Sequence, residues 1–414
     1  MFRLSSMVLF LFFSTIAPAL ANVLTVGKNE KYKTIQSAVE AANNGDQIII
    51  KTGVYLENNI EIKKSITIKG EGYPVIDARG KGQVFTILSN GVTIQGLHIK
   101  NIGTNYLKDN AAIKTIEVKH CKILNNKIQN SYFGIFLANT DSTVVSGNII
   151  IGSAVKETSS GNAIHLWYCK KINISKNTVK GHRDGIYFEF VEDSDIKDNY
   201  SEGNLRYGLH FMFSDRNIYT SNTFKGNGAG VAVMYSRNIV MKKNRFVKNW
   251  GPASYGILLK DITDSEISGN YFSENTIGIF ADGTNRVVIN ENEFHKNGWG
   301  VKIMGHCEEV KFERNNFISN TFEVSTNSNN RSSYSFSGNY WSSYSGYDLD
   351  RDGKGDIPHR PVKLFSFLAD QTPASIILLR SMFVELLEVA EKIAPIFTPV
   401  NLEDNSPSIK INNW

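Results

Sequence analysis

The sequence predicts an all-β fold of the parallel β-helix kind, on three observations. From Gly134 to Ile303 a small residue repeatedly opens an alternating apolar run: Gly134-Ile135-Phe136-Leu137, Ala163-Ile164-His165-Leu166, Gly185-Ile186-Tyr187-Phe188, Gly208-Leu209-His210-Phe211, Gly230-Val231-Ala232-Val233, Gly256-Ile257-Leu258-Leu259, Gly278-Ile279-Phe280-Ala281 and Gly300-Val301-Lys302-Ile303. From Ala163 the steps are 22, 23, 22, 26, 22 and 22 residues. An Asn followed by an apolar or aromatic residue keeps the same period at Asn148, Asn177, Asn199, Asn222, Asn244, Asn270, Asn292 and Asn315. Gly, Asn, Asp and Ser separate the short runs, which marks tight turns between strands. Self-similarity at this period means stacked units, none of which can bury its apolar face alone. The spaced leucines and per-repeat helix of a leucine-rich repeat are missing.

The elements follow in order. Met1 to Ala21 has Arg3, an apolar run from Met7 to Phe13, and Ala19-Leu20-Ala21, the pattern of a cleavable secretory signal rather than a membrane anchor. Strands are expected at Asn22–Val26, Gln47–Ile50, Ile60–Ile62, Ser65–Ile68 and Val92–Ile94. A helix over Tyr32 to Ala42, with Ile35, Ala38, Val39 and Ala42 on one face, would cap the open end of the solenoid. Extra residues near Val155–Ser160 and Trp250–Ser254 extend two coils as loops. Tyr340, Trp341, Tyr344 and Tyr347 make an aromatic closing coil. Thr372-Pro373 opens a strongly apolar helix, and Pro395 and Pro399 end it. That helix either caps the solenoid or docks on a partner, through Ile376, Leu379, Phe383, Leu386 and Leu387. The division is a leader at 1–21, the β-helix with its cap at 22–346, an acidic loop and linker at 347–370, the helix at 371–395, and an extended or disordered tail at 396–414.

Composition narrows the partners. The formal charge of +5 is mild and diffuse, which argues against nucleic acid. Cys121, Cys169 and Cys307 have no paired spacing for zinc or a redox dithiol, and their odd number leaves at least one thiol free.

Alternation divides each repeat. The first and third residues after the Gly form a uniform apolar core. The second and fourth face out, and here they include His165, Trp167, Tyr187, Glu189, His210, Met212 and Met234. A solvated face would carry Lys, Thr and Ser instead. Thioether with imidazole is a soft ligand set suited to copper, so His210, Met212 and Met234 are the candidate ligands, with Glu189 and His182 as helpers. The plainer reading of the same ladder is a protein contact surface formed by His165, Trp167, Tyr187, Arg183 and Arg206. A polyuronate-cleaving cluster of Asp184, Glu189, Arg183 and His182 is the enzymatic alternative, weakened by having one carboxylate on the central ladder. The loop Asp348-Leu349-Asp350-Arg351-Asp352-Gly353-Lys354-Gly355-Asp356 spaces oxygen ligands as a structural calcium site would, through Asp348, Asp350, Asp352 and Asp356. Asx turns and Arg351 could hold the same loop without an ion.

The strings Gly161 to Trp167, Gly181 to Phe190, Asn204 to Ser214, Gly228 to Ser236 and Tyr255 to Lys260, with the Tyr347 to Pro361 loop and the helix after it, resemble the NosD family. The likeness spans essentially the whole chain beyond the leader. It implies a right-handed parallel β-helix in the periplasm, non-enzymatic, working with an ABC transporter formed by the membrane subunit NosY and the ATPase NosF. It also implies a part in supplying or assembling the copper-sulfide centre of nitrous oxide reductase, alongside the copper chaperone NosL. On this reading copper is held transiently, calcium is structural, and membrane association is only through the transporter.

Overall fold

The computed structural model describes residues 21–104, 108–326, 334–393 and 402–414. Residues 1–20 of the leader, and the proposed helix stops Pro395 and Pro399, lie outside the described residues. Among those described, three parallel sheets of 14, 12 and 13 strands wind around one apolar core. Each regular coil visits the 14-stranded sheet, the 13-stranded sheet and then the 12-stranded sheet, as in Asn173–Ser175, Thr178–Lys180 and Ile186–Glu189.

Two features of the repeat now have causes. The small residue that opens each outward run sits where the next coil passes close: a Cβ on Gly208 would lie 2.7 Å from Gly230 O and 2.9 Å from the Phe224 ring. The repeating Asn is not merely a turn former. Asn148, Asn177, Asn199, Asn222, Asn244, Asn270, Asn292 and Asn315 are buried in one ladder, each amide Nδ2 donating to the Oδ1 of the next. Each also donates to a core carbonyl one coil back, as Asn244 Nδ2 does to Tyr219 O at 2.9 Å. The corner's unpaired peptide groups are thereby satisfied without water. A core stack of Phe224, Phe246, Phe272, Phe294 and Phe317 runs beside it, with centroids 4.7–5.4 Å apart, and Trp341 closes it at 4.2 Å.

The N-terminal helix is present as α1, Ile35–Ala41, with Ile35, Ala38 and Val39 buried. Thr34 caps it, and the Glu57 carboxylate accepts the N–H groups of Ile35 and Gln36 at 2.7 and 2.9 Å. At the other end the chain departs from expectation. In place of one helix over 371–395 there are α2 (Leu364–Gln371), a 3-10 segment (Pro373–Leu378) and α3 (Met382–Ile393). Arg380 at φ 71° breaks the run, and Ser381 restarts it by accepting Val384 N–H. Phe365, Ala369 and Val384 pack on Phe322 of the last coils, so this unit does cap the solenoid. Residues 402–414 are ordered against the closing coils rather than loose. Buried Asp404 Oδ2 accepts Asn339 N and Nδ2 and Trp341 Nε1, at 3.0, 3.0 and 3.1 Å. It stands where the next Asn of the ladder would be.

Candidate functional site

The outer face of the 12-stranded sheet carries two columns in register. Phe136, His165, Tyr187, His210, Ala232 and Leu258 form one, and Ala138, Trp167, Glu189, Met212, Met234 and Lys260 the other. Parallel pairing at about 4.8 Å per coil makes column neighbours near contacts.

The first column faces outward but is largely covered, which corrects the expectation of an exposed ladder. Phe136, His210, Ala232 and Leu258 are buried. Aromatic side chains at the first position of the strands lie against the column: Phe133 is 5.2 Å from Phe136 and 5.1 Å from His165, and Tyr207 is 4.8 Å from His210. His165 stacks between Phe136 at 4.5 Å and Tyr187 at 4.8 Å. Burial holds its pKa down at about 3.

His210 is the anomaly. Neither ring nitrogen has a hydrogen-bond partner, although the residue is buried. Its Nδ1 is 4.0 Å from Asp184 Oδ2, too far for a hydrogen bond. Asp184 is itself buried, accepting from Arg183 Nε and Tyr207 N, each at 3.2 Å. Burial raises the Asp184 pKa above the ordinary carboxylate value, against the pull of Arg183 and Arg206. Burial, followed by the same two arginines, lowers that of His210 to about 3. A neutral imidazole with an unused lone pair is thus stored in the wall, and exposed Arg206 lies over the Tyr207 ring that covers it.

The second column is open. Trp167 is 39% exposed, and Glu189, Met212, Met234 and Lys260 are half-buried. Tyr187 Oη donates to Glu189 Oε2 at 3.4 Å and lies 3.9 Å from Met212 Sδ, and burial lifts its phenol to about 12. Met212 and Met234 are register partners, so two neutral thioethers face solvent side by side beside an orphaned imidazole. That donor chemistry fits a soft monovalent metal ion and offers little to a hard one.

A ridge beyond the second column was not foreseen. Tyr168, Phe190, Phe213 and Tyr235 follow Trp167, Glu189, Met212 and Met234 and stack at 4.5, 5.3 and 5.1 Å with planes within 18°. All four have positive φ, from 49° to 54°. Bulky residues seldom adopt that conformation. At the same corner the preceding coil has Asn139 and the next has Asp261, residues suited to it. The signal in the sequence was an aromatic residue at one fixed offset in four consecutive coils.

Other expected residues are placed elsewhere. His182 does not join the ladder: its Nδ1 donates to Lys180 O at 3.0 Å, and its ring lines a separate cavity with Ser131 and Tyr132. The cluster of Asp184, Glu189, Arg183 and His182 is therefore not assembled. The carboxylates of Asp348, Asp350 and Asp352 converge within 4.8 Å. Asp356 instead accepts Leu349 N–H at 2.7 Å. On the C-terminal unit, Leu379 and Leu387 pack on the cap, whereas Ile376, Phe383 and Leu386 are exposed together with Ile377 (88%), Met382 (74%) and Ile393 (79%). Cys121, Cys169 and Cys307 are buried and unpaired, with burial raising each thiol pKa, to about 12 for Cys169. No helix among the described residues is long and apolar enough to cross a membrane.

Comparison with known proteins adds relatives. A family model described as periplasmic copper-binding protein (NosD) matches residues 149–346, which include both columns from His165 to Lys260. The chain is 27% identical over 374 residues to the probable ABC transporter binding protein NosD of Stutzerimonas stutzeri, covering 86% of this chain and 85% of that one. It is 28% identical over 416 residues to the protein of the same description from Pseudomonas aeruginosa, covering 96% of each. Among solved structures, the mannuronan C-5 epimerase AlgE6 A-module of Azotobacter vinelandii superposes with a TM-score of 0.60 at 12% identity, over 73% of this chain and 92% of that one. The catalytic unit of an alpha-1,3-glucanase from Streptomyces thermodiastaticus gives 0.60 at 12%, over 77% and 68%. These two likenesses establish the fold alone.

Proposed function

From the premise that this chain is a relative of the NosD proteins along nearly its whole length, we propose that it is a non-enzymatic accessory protein that carries copper for a partner while attached to an ABC transporter. The observation that carries this reading is the juxtaposition of Met212 and Met234 with the unpartnered His210, inside the segment matched by a copper-binding family. Copper is cargo here. Thioethers bind it without a proton to release, and the carboxylates of Asp184 and Glu189 offset the charges of Arg183 and Arg206. A shallow, solvent-facing pair of sulfurs suits ligand exchange with another protein, whereas a closed site would trap the ion.

The cargo's destination is the finer part of the proposal: the copper-sulfide centre of nitrous oxide reductase, with NosL as donor and with NosY and NosF as the transporter. The exposed face of α3 is the docking surface for the membrane subunit, and the Asp348–Asp352 carboxylates take a structural calcium ion. The test is anaerobic competition for Cu(I) against a chromophoric chelator. Replacing both Met212 and Met234 with Leu should weaken binding at least tenfold; unchanged affinity removes the ladder as the site. Nitrous oxide reductase isolated from a strain lacking this chain should be without its copper-sulfide centre, and a fully metallated enzyme would overturn the assembly role.

A further inference from the structure

We propose that the cavity at His182 is a binding site for a neutral, hydroxyl-rich ring of monosaccharide size. The site comes from two departures from the repeat that occur together. First, Asn148 and Asn177 are 29 residues apart, the longest step in the ladder from Asn148 to Asn315, whose others are 22, 23 or 26, and the extra residues, including the short turn Glu157–Ser159, fold over a corner of the solenoid. They leave a cavity of about 210 Å³. Second, that corner holds its own buried asparagine ladder in the following coils, Asn204, Asn227, Asn249, Asn275 and Asn297, continued by Asn320. His182 stands at its head, where the ladder would place another Asn. Its backbone N–H still donates to Asn204 Oδ1 at 3.0 Å, as each ladder member does to the next.

The substitution changes what the corner offers. A carbonyl can only accept, so the 3.0 Å contact with Lys180 O puts the His182 proton on Nδ1. Nε2 is left as an acceptor, and its partner, Ser131 Oγ, is 3.4 Å away, at the weak end of hydrogen bonding. The imidazole is 2% exposed, so this lone pair is buried at the cavity wall. The remaining lining includes the hydroxyls of Ser159, Ser160 and Thr104, the Asn130 amide and the Tyr132 ring.

That lining selects by exclusion. It contains no charged side chain among the described residues, so a charged ligand would lose its hydration without a counter-charge. A soft metal would find one nitrogen and only hard oxygens beside it. An apolar ligand would strand the hydroxyls and the imidazole. The volume lies below the roughly 300–1,000 Å³ of drug-sized sites, which suits a single ring rather than an extended ligand. A sugar ring supplies hydroxyl donors for Nε2 and the serines and an apolar C–H face for Tyr132.

Saturation-transfer NMR on the full chain with D-glucose, D-galactose, D-mannose and N-acetylglucosamine tests this. At least one sugar should give a saturable signal. His182→Asn restores the ladder residue and should keep the fold by circular dichroism, yet weaken that sugar at least tenfold. Absence of transfer from all four, or equal binding by His182→Asn, overturns the proposal. Cu(I) affinity of the same variant should be unchanged, so this result stands or falls apart from the copper reading.

Discussion

Asp184 decides how His210 can serve as a ligand. At 4.0 Å the Asp184 carboxylate does not bond to His210 Nδ1, but its charge favours a proton there and Nε2 as the binding nitrogen of the proposed site, as outer carboxylates do for metal-binding imidazoles. Asp184→Asn keeps the shape and removes the charge, and should lower Cu(I) affinity on the order of tenfold in a chelator competition. Equal affinity would mean that His210 takes no part. The buried histidines also set a pH dependence. Unfolded, His165, His182 and His210 titrate near the ordinary value of 6.5, but folded only at about 3, about 4 and about 3. Below 6.5 the unfolded chain therefore binds more protons, and stability falls as pH drops toward 4, on the order of 1 kcal/mol per pH unit for each histidine. The raised Asp184 works the other way, one group against three, contributing stability as pH falls through its folded value. Urea unfolding at about pH 7 and pH 5 should show the loss, and His182→Asn should reduce it by roughly a third. Alternation along the strand was enough to place His210, Met212 and Met234 on one outward face. It could not find that Tyr207 covers His210, because that depends on side-chain rotamers at a corner. It misplaced His182 for the same reason: period two holds within strands and fails where the chain turns.

Corners are the elements in which this fold invests most specifically. Asn244→Ala would strip the partner from Asn222 N and remove one bond each from Asn222 Nδ2, which keeps Ile196 O, and from Tyr219 O. The expected loss is about 2 kcal/mol or more in urea unfolding, since a stranded buried group costs roughly 1–3 kcal/mol and each further lost bond roughly 0.5–1.5 kcal/mol. The aromatic corners behave oppositely. At Phe213, a positive φ costs on the order of 1–3 kcal/mol and stacking on Phe190 and Tyr235 returns roughly 0.5–1.5 kcal/mol. Phe213→Asn, the residue type the backbone prefers, should unfold within about 1 kcal/mol of the parent. A loss above about 2 kcal/mol would make the ridge a structural device; retained stability leaves contact with a partner as the reason for bulky residues there. The Asn repeat was visible as a period, but its internal ladder was not, because an Asn in a turn needs no buried partner to be favourable. The split of the C-terminal helix was equally hidden, since Ile376 to Leu379 are as apolar as a helix face and only Arg380 and Ser381 interrupt them.

At the scale of the whole molecule, stability in a solenoid is a sum over neighbouring coils, so damage at one end should stay there. The aromatic closing coil was legible, but the return of residues 402–414 was not, because a single acid placed under the last Asn is a long-range contact without a period. Asp404 accepts three buried donors and so ends the ladder, whose last groups would otherwise lie open to another chain, the liability of any unpaired edge. Asp404→Ala should therefore loosen the terminal coils and promote association through the freed edge. Hydrogen exchange should accelerate over Glu308–Glu313 and Tyr334–Trp341, while His165 to Lys260, in earlier coils, keep their protection and any Cu(I) affinity. If exchange rose uniformly along the chain instead, the coils would be folding as one cooperative unit, and the proposed copper ladder could not be treated as independent of its cap.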